Sequence, residues 1–253
     1  MAYTKRFDGR DFDDLRKIEA KSGVIKNADG SGFFRIGNTV AYAAVYGPRN
    51  LHPKFLQDPS KGILRCHYNM MPFAGMGERV RPGPNRRAKE ISLVTEKAIT
   101  PVLMLDEFPN SVVDVFIDLI ETDAGSRAAG ICAASIALAD AGIPMKDLVA
   151  AVAVGKVDDK IVVDLNYQEE AYEEGNVADV PMAYISSMDA VSLLQMDGII
   201  RKDELMEALS KGKEACKRII EIQKKALKDK YIVEGKSHIE HDQNNNINGD
   251  TNE

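Results

Sequence analysis

The 253-residue sequence contains no tryptophan, only three cysteines and only four histidines. The cysteines (Cys66, Cys132, Cys216) lie far apart without a C-x-x-C pair, which argues against a disulfide framework or a cysteine zinc site and for reduced, packed thiols in a cytosolic protein. No apolar run approaches the roughly 18 residues of a membrane span, and the N-terminus lacks a signal-peptide pattern, so the expectation is a cytoplasmic protein without membrane partners. Positive charge is not in excess: the formal net charge is −6, which removes an overall basic signature of nucleic-acid binding but leaves room for a local basic cluster. There is no G-x-x-x-x-G-K-[ST], no H-E-x-x-H, and no G-x-G-x-x-G after the first strand. His52, His67, His238 and His241 have no ligand partner at useful spacing. At 44% hydrophobic and 28% charged residues, the composition is that of a globular protein with a substantial core.

The element order predicted by periodicity is strands, helix, strand, helix, strands, helix. Strands are expected in 23–47, with hairpin signals at Asp29-Gly30 and Gly37-Asn38, and in "ILRCHYNMMPF". "AGMGERVRPGPN" reads as a mobile loop, and a helix starts near Arg86. The run 112–120 alternates as a strand. The Ala-rich 127–141 reads as a closely buried helix stopped by "AGIP". Three later strands suit a meander, and a long helix runs from about Lys202 to Tyr231, its stripe traced by Leu205, Leu209, Gly212, Cys216, Ile219, Gln223 and Leu227. Together these predict an α+β fold of mixed α/β layers, a single domain with one sheet and helices packed on it. The domain spans 1–235, and 236–253 reads as an acidic, Asn-rich disordered tail.

Three clusters could carry chemistry. In "ETDAGSRAAG" (121–130) a strand hands over to a helix through Gly125, Ser126 and Arg127. Unpaired helix N–H groups, a hydroxyl and a guanidinium there would make a phosphate cradle. An N-cap serine beside a surface arginine gives the same local pattern. Within "RVRPGPNRRAKEIS" (79–92), Arg79, Arg81, Arg86, Arg87 and Lys89 crowd a helix start, where positive charge opposes the helix dipole. Gripping a polyanion would explain that cost, although a solvated basic loop looks alike. In "DLNYQEEAYEEGNVADVPM" six carboxylates crowd a loop, and Asp179 opens the apolar strand "VPMAYISS". Such a set could hold Mg²⁺ or supply a general acid, or could be a solvated hairpin loop.

These stretches, with "FDGRDFDDLRKI", "GNTVAYAAVYGPRNLHP", "NRRAKEIS", "DAGSRAAGICAASIALADAGIPM", "VAVGKVDDKIVVDLN" and "ADVPMAYI", occur in the order of the RNase PH family over about residues 5–232. The sequence is most similar to the branch that forms the catalytic subunit of the archaeal exosome. The resemblance implies a phosphorolytic 3′→5′ exoribonuclease that degrades single-stranded RNA with inorganic phosphate as co-substrate and releases nucleoside diphosphates, with reverse tailing as the back reaction. By the same resemblance Gly125, Ser126 and Arg127 would bind phosphate, and Arg86 and Arg87 would grip RNA. Asp179 would be the general acid or a metal ligand, with Mg²⁺ the expected ion. The family's second acid lies six positions upstream in an E-D pair. The loop here looks three residues longer, so either Glu170 (after Glu169) or Glu173 would stand in for it. "PRNLHPKF" matches a constricted channel neck, which would bring Arg49, His52 and Lys54 to RNA. The family's six-membered ring implies a non-catalytic paralogue alternating with this chain, and RNA-binding cap subunits on one face. A ring scaffold without activity and a stand-alone tRNA-trimming hexamer are the alternatives; loss of "RR", "GSR" or Asp179 would mark the first, and all three are present.

Overall fold

The computed structural model describes residues 3–76, 80, 81, 83 and 85–245, the side chains of 233–245 excepted. Arg79, the side chains of His238 and His241, and residues 246–253 therefore lie outside the described residues.

The first sheet has the order β1-β2-β3-β5-β4, formed by β1 (Ile18–Ser22), β2 (Gly30–Ile36), β3 (Thr39–Asn50), β4 (Ile63–Met70) and β5 (Ser111–Glu121). β2 and β3 form a hairpin over Gly37-Asn38, where Gly37 takes φ 58°, as the sequence predicts. Asp29-Gly30 is not a hairpin turn: Gly30 already belongs to β2, paired with Val45. Its small size serves close packing instead. A Cβ there would sit 2.1 Å from the Ala141 nitrogen, at the end of helix α2 (Ser126–Asp140). β4 runs parallel to β5, so the chain must cross over between them, and it does so through helix α1 (Arg86–Ile99). The carboxyl ends of β4 and β5 consequently point the same way, and the segments that follow them meet at one edge of the sheet. In open α/β arrangements that is where ligand crevices form.

The second sheet has the path β10-β8-β6-β7, built from β6 (Val149–Val157), β7 (Lys160–Val163), β8 (Val177–Ile185) and β10 (Asp197–Gly198). Strand β9 (Ala190–Leu194) also pairs with β8. The single sheet expected from sequence is thus two sheets. The expected meander is also rearranged. β6 and β7 form a hairpin over Asp158-Asp159, and β8 takes the other edge of β6.

Helix α2 explains the division. Twelve of its fifteen residues are buried, because β2 and β3 pack on one side and β6 on the other. A helix with no solvent face needs small apolar side chains all round, which is what "AAGICAASIALA" supplies. One continuous apolar core therefore includes residues of both sheets. A long helix, α4 (Lys202–Asn245), closes the second sheet. Cys216, Ile219 and Ile220 are buried on it, and the polar member of its stripe, Gln223, donates to the carbonyls of Cys132 and Val149. Its backbone continues through 236–245, so no break in secondary structure marks the tail boundary expected at 235. That stretch contains neither Gly nor Pro to stop a helix. All three cysteines are free and buried, as expected.

The N-terminal arm is tied to the second sheet by buried ion pairs. Arg6 forks onto Glu169, and Arg16 reaches Asp164 at 2.7 Å.

Candidate active site

The turn from β5 into α2 is held from several sides. The Thr122 amide donates to the Ala74 carbonyl, the Asp123 amide to Thr39 Oγ1, and Thr39 Oγ1 in turn to the Ala124 carbonyl. Arg16 donates to the Asp123 carbonyl. Ala124 and Gly125 are both left-handed, at φ 57° and 62°. The cap of α2 is Gly125, which has no side chain to offer, so Ser126 is the first helical residue rather than its N-cap. The first-turn N–H groups thus keep their free valence, directed out of the helix end with its partial positive charge.

These groups border a cavity of about 380 Å³, whose lining includes Gly125, Ser126, Arg127, Arg87, Glu170 and Asp179. Tyr68 at its floor has a buried hydroxyl without a hydrogen bond of normal geometry. A second cavity, about 280 Å³, adjoins it and adds Glu90, Gln195 and Asp197. Arg87, Arg127, Glu170, Asp179 and Pro181 border both, and so form the wall between them. Arg127 donates to Gln195 Oε1, and Gln195 Nε2 donates to Glu90 Oε1 at 2.9 Å, which ties the guanidinium to α1.

The start of α1 separates the two adjacent arginines. Asn85 caps the helix, its Oδ1 accepting from the Ala88 amide at 2.7 Å. One residue step turns a helix by about 100°; both arginines are exposed, but Arg87 borders the cavity and Arg86 does not.

The acidic side is built by β8 and the one-turn helix α3 (Tyr167–Glu170). Asp179 is the third residue of β8, paired with Gly155 on β6 and with Asp197 on β10. Its Oδ1 is buried without a hydrogen-bond partner. Burial and the neighbouring Glu170 carboxylate push the Asp179 carboxyl up to about 7; Asp197 adds to this, and Arg127 and Arg87 oppose it. Glu170 borders both cavities but is exposed as a residue. Partial loss of water holds its carboxyl above the ordinary range, against the pull of Arg87, Arg127 and Arg16.

The three sequence clusters therefore meet around one cavity, but not every predicted residue joins them. Glu170 and Glu173 are both exposed, and of the two Glu170 borders both cavities while Glu173 borders neither. Arg49, His52 and Lys54 are exposed at the far end of the first sheet. Arg49 pairs with Val112 near the start of β5, the cavity lies beyond its end at Glu121, and the strand between spans about 30 Å. Arg49 lies 5.0 Å over the Tyr46 ring. Sequence reasoning missed Tyr68, Gln195 and Asp197. Alternation along "ILRCHYNM" places Tyr68 on the inward face with Leu64 and Cys66, a usable signal. Gln195 and Asp197 arrive only through pairing with β8, which leaves no local trace.

The chain is also similar to known proteins. Residues 14–144 match domain 1 of the RNase PH group described as the 3′ exoribonuclease family, and residues 147–215 match its domain 2. The family boundary falls between α2 and β6, so the single domain expected from sequence corresponds to two family domains sharing one core. The exosome complex component Rrp41 of Thermococcus kodakarensis is 52% identical over 228 residues, covering 90% of each chain. That of Nitrosopumilus maritimus is 46% identical, covering 90% of this chain and 92% of its own. Among solved structures, rice Rrp46 superposes with a TM-score of 0.76 at 23% identity, over 88% of this chain and all of its own. An Archaeoglobus fulgidus exosome with RNA bound to the active site gives 0.72 at 23%, over 86% and 92%. The two superpositions show the fold.

Proposed function

The chain belongs to the RNase PH family of 3′ exoribonucleases, and on that premise we propose that it is the catalytic subunit of an archaeal exosome. It degrades single-stranded RNA from the 3′ end by phosphorolysis. The observation that carries this reading is the pairing, across one cavity wall, of an uncapped helix N-terminus beside Arg127 with a carboxyl that holds its proton near neutrality.

Inorganic phosphate sits against Ser126, Arg127 and the first N–H groups of α2. Arg87 holds the terminal phosphodiester and stabilises charge as it builds on the transferring phosphorus. An oxygen of inorganic phosphate attacks that phosphorus, and the bond to the 3′ oxygen of the preceding nucleotide breaks. Asp179 donates its proton to that oxygen, leaving a new RNA 3′-hydroxyl and a nucleoside diphosphate. A donor whose proton affinity lies close to the working pH suits this role. Reversal of the same steps adds nucleotides.

Mg²⁺ fits the chemistry of the donor set. It favours one or two carboxylates completed by substrate phosphates and water, and Asp179, with its unpartnered Oδ1, and Glu170 offer two. Among the described residues no group of three or more acidic, His or Cys side chains preassembles an ion site. A bound ion would neutralise phosphate charge. An ion on Asp179 itself would require the ionised carboxylate, which excludes proton donation by Asp179 in the same complex.

Arg86, Arg49, His52 and Lys54 are proposed to guide RNA towards the cavity from outside it. The assembly is proposed to be a six-membered ring shared with a non-catalytic paralogue, with RNA-binding cap subunits, in the cytoplasm. Among the described residues no helix is long and apolar enough to cross a membrane. The test is degradation of a 5′-labelled single-stranded RNA with and without phosphate, alone and with the paralogue. Phosphate-dependent release of nucleoside diphosphates supports phosphorolysis, and nucleoside monophosphates overturn it. A requirement for the paralogue supports the exosome; full activity of the chain alone favours a self-sufficient hexamer.

A further inference from the structure

Glu169 and Glu170 are chain neighbours with opposite surroundings. The Glu169 side chain is wholly buried, as is that of Arg6. Arg6 Nε donates to Glu169 Oε1 at 2.7 Å, and Nη2 to Oε2 at 2.8 Å, a two-pronged fork. Tyr3 donates its hydroxyl to Oε1 at 2.7 Å. The remaining Arg6 donors are satisfied by backbone carbonyls, among them Val163 at 2.8 Å and Asp164 at 2.7 Å. Glu169 also closes a capping box with Asn166: Glu169 Oε2 accepts from the Asn166 amide, and Asn166 Oδ1 accepts from the Glu169 amide at 2.9 Å.

Helix α3 is only four residues long. One turn has no stability of its own, because helix nucleation is unfavourable without further turns to offset it. After it the chain turns away through exposed residues around Glu173 and Glu174. Two ties hold this turn: the Tyr167 amide donates to Asp123 Oδ1 at 3.0 Å at its start, and the buried Glu169 anchors its end next to Glu170. The Arg6 end of that second anchor comes from the N-terminal arm, 163 residues earlier in the chain.

We propose that Arg6, through its fork onto buried Glu169, is a positioning residue that sets Glu170 against Asp179 in the cavity wall. This inference rests on the reading of Glu170 and Asp179 as the acidic half of the site. The N-terminal arm is then a working part of the active site without touching it. The groups facing Glu170 are Asp179 from β8, Asp197 from β10, Arg87 from α1, Arg127 from α2 and, more remotely, Arg16. Among the described residues none of them is hydrogen-bonded to Glu170, so none replaces the Glu169 anchor.

The test uses the full chain in the assembly in which it is active, with Arg6→Lys, Glu169→Gln and Glu170→Gln, and the pair Arg6→Lys with Glu170→Gln. Arg6→Ala is avoided because stripping one member from a buried ion pair threatens folding. Assembly and melting temperature are measured first, and kinetics are normalised to assembled protein. Arg6→Lys and Glu169→Gln are expected to lower kcat by about ten- to a hundredfold, as misplacement on the order of 1 Å does, while the KM for inorganic phosphate changes by less than about twofold. Arg6→Lys placed on Glu170→Gln is expected to cost no further kcat, because its effect passes through Glu170. Unchanged kcat in assembled Arg6→Lys and Glu169→Gln, beside a reduced kcat in Glu170→Gln, overturns the positioning role and leaves the site reading standing. Multiplicative losses in the pair also overturn it, by showing a general structural effect. Unchanged kcat in Glu170→Gln overturns both.

Discussion

Asp197 on β10 is the direct cross-strand partner of Asp179 on β8. Partners opposite one another in an antiparallel pair share a face of the sheet, with Cβ atoms about 5 Å apart. Two carboxylates at that spacing, with Glu170 on the same wall, cannot all remain ionised cheaply, and the most buried of the three keeps its proton longest. Arg87 and Arg127 restrain the effect without removing it.

A pH profile should report this crowding. Proton donation needs Asp179 protonated, so kcat at saturating phosphate is expected to fall as pH rises through about 7. Glu170→Gln removes the stronger neighbouring charge and should carry the alkaline limb to lower pH; Asp197→Asn should shift it less, in the same direction. The ionisation of inorganic phosphate is common to all three proteins, so the difference between their profiles isolates the side chains. Superimposable limbs would remove Asp179 as the donor. A limb that disappears when Mg²⁺ is added would place the ion on Asp179 instead.

Asp179→Asn should abolish cleavage and spare RNA binding, and it should also stabilise the fold at neutral and alkaline pH. The folded state holds this proton up to about 7, whereas the unfolded chain releases it near 3.8. Between those values the folded state binds more protons, so its stability falls as pH rises through the folded value. Asparagine removes the dependence. Thermal melts at about pH 8 are expected to show the variant melting a few degrees higher, and melts at about pH 3.5 no gain. Normal turnover in the variant would sink the assigned role.

The adjacent arginines should part company. Arg87→Ala is expected to lower kcat/KM by at least about a hundredfold, in line with loss of a charged group that stabilises a transition state. Arg86→Ala, outside the cavity wall, should leave kcat unchanged and reduce the salt dependence of RNA binding by about one phosphate contact. Equal losses in the two single variants would show that the geometry at the start of α1 does not divide their roles.

Gly30→Ala tests the packing of α2 at the end opposite the proposed phosphate cradle. The new methyl would lie 2.1 Å from the Ala141 nitrogen, a backbone atom at the end of α2. Overpacking of this kind costs about 1–3 kcal/mol or more, readable in urea titration as a lower midpoint. An unchanged midpoint would mean that α2 is less tightly confined than its burial indicates.

Much of the site was legible in the sequence because its parts are local. "GSR" at a strand-to-helix junction, "RR" at a helix start and an aspartate opening an apolar strand are signals carried by neighbours in the chain. The choice between Glu170 and Glu173 was not legible. It depends on which residues of the long acidic loop are drawn inward, and Arg6, far away in sequence, decides that by holding Glu169. Asp197 and Gln195 were invisible for the same reason, since β-pairing brings them to the site across the fold. The second sheet was missed because an Ala-rich helix announces tight burial but not that both its sides are covered. Ser126 looked like a helix cap until two left-handed residues gave that place to Gly125.

The confinement of α2 has a consequence for amide hydrogen exchange. Its interior amides, from about Gly130 to Ala137, are shielded by a sheet on each side and exchange only when both sheets separate, which is global unfolding. Its first three amides have no carbonyl within the helix to bind, and the first two residues border the cavity. Amides that open only with the fold and amides without helical partners therefore belong to one rod. Inorganic phosphate should slow the unpartnered end alone, so this single helix carries its own internal reference for occupancy of the site.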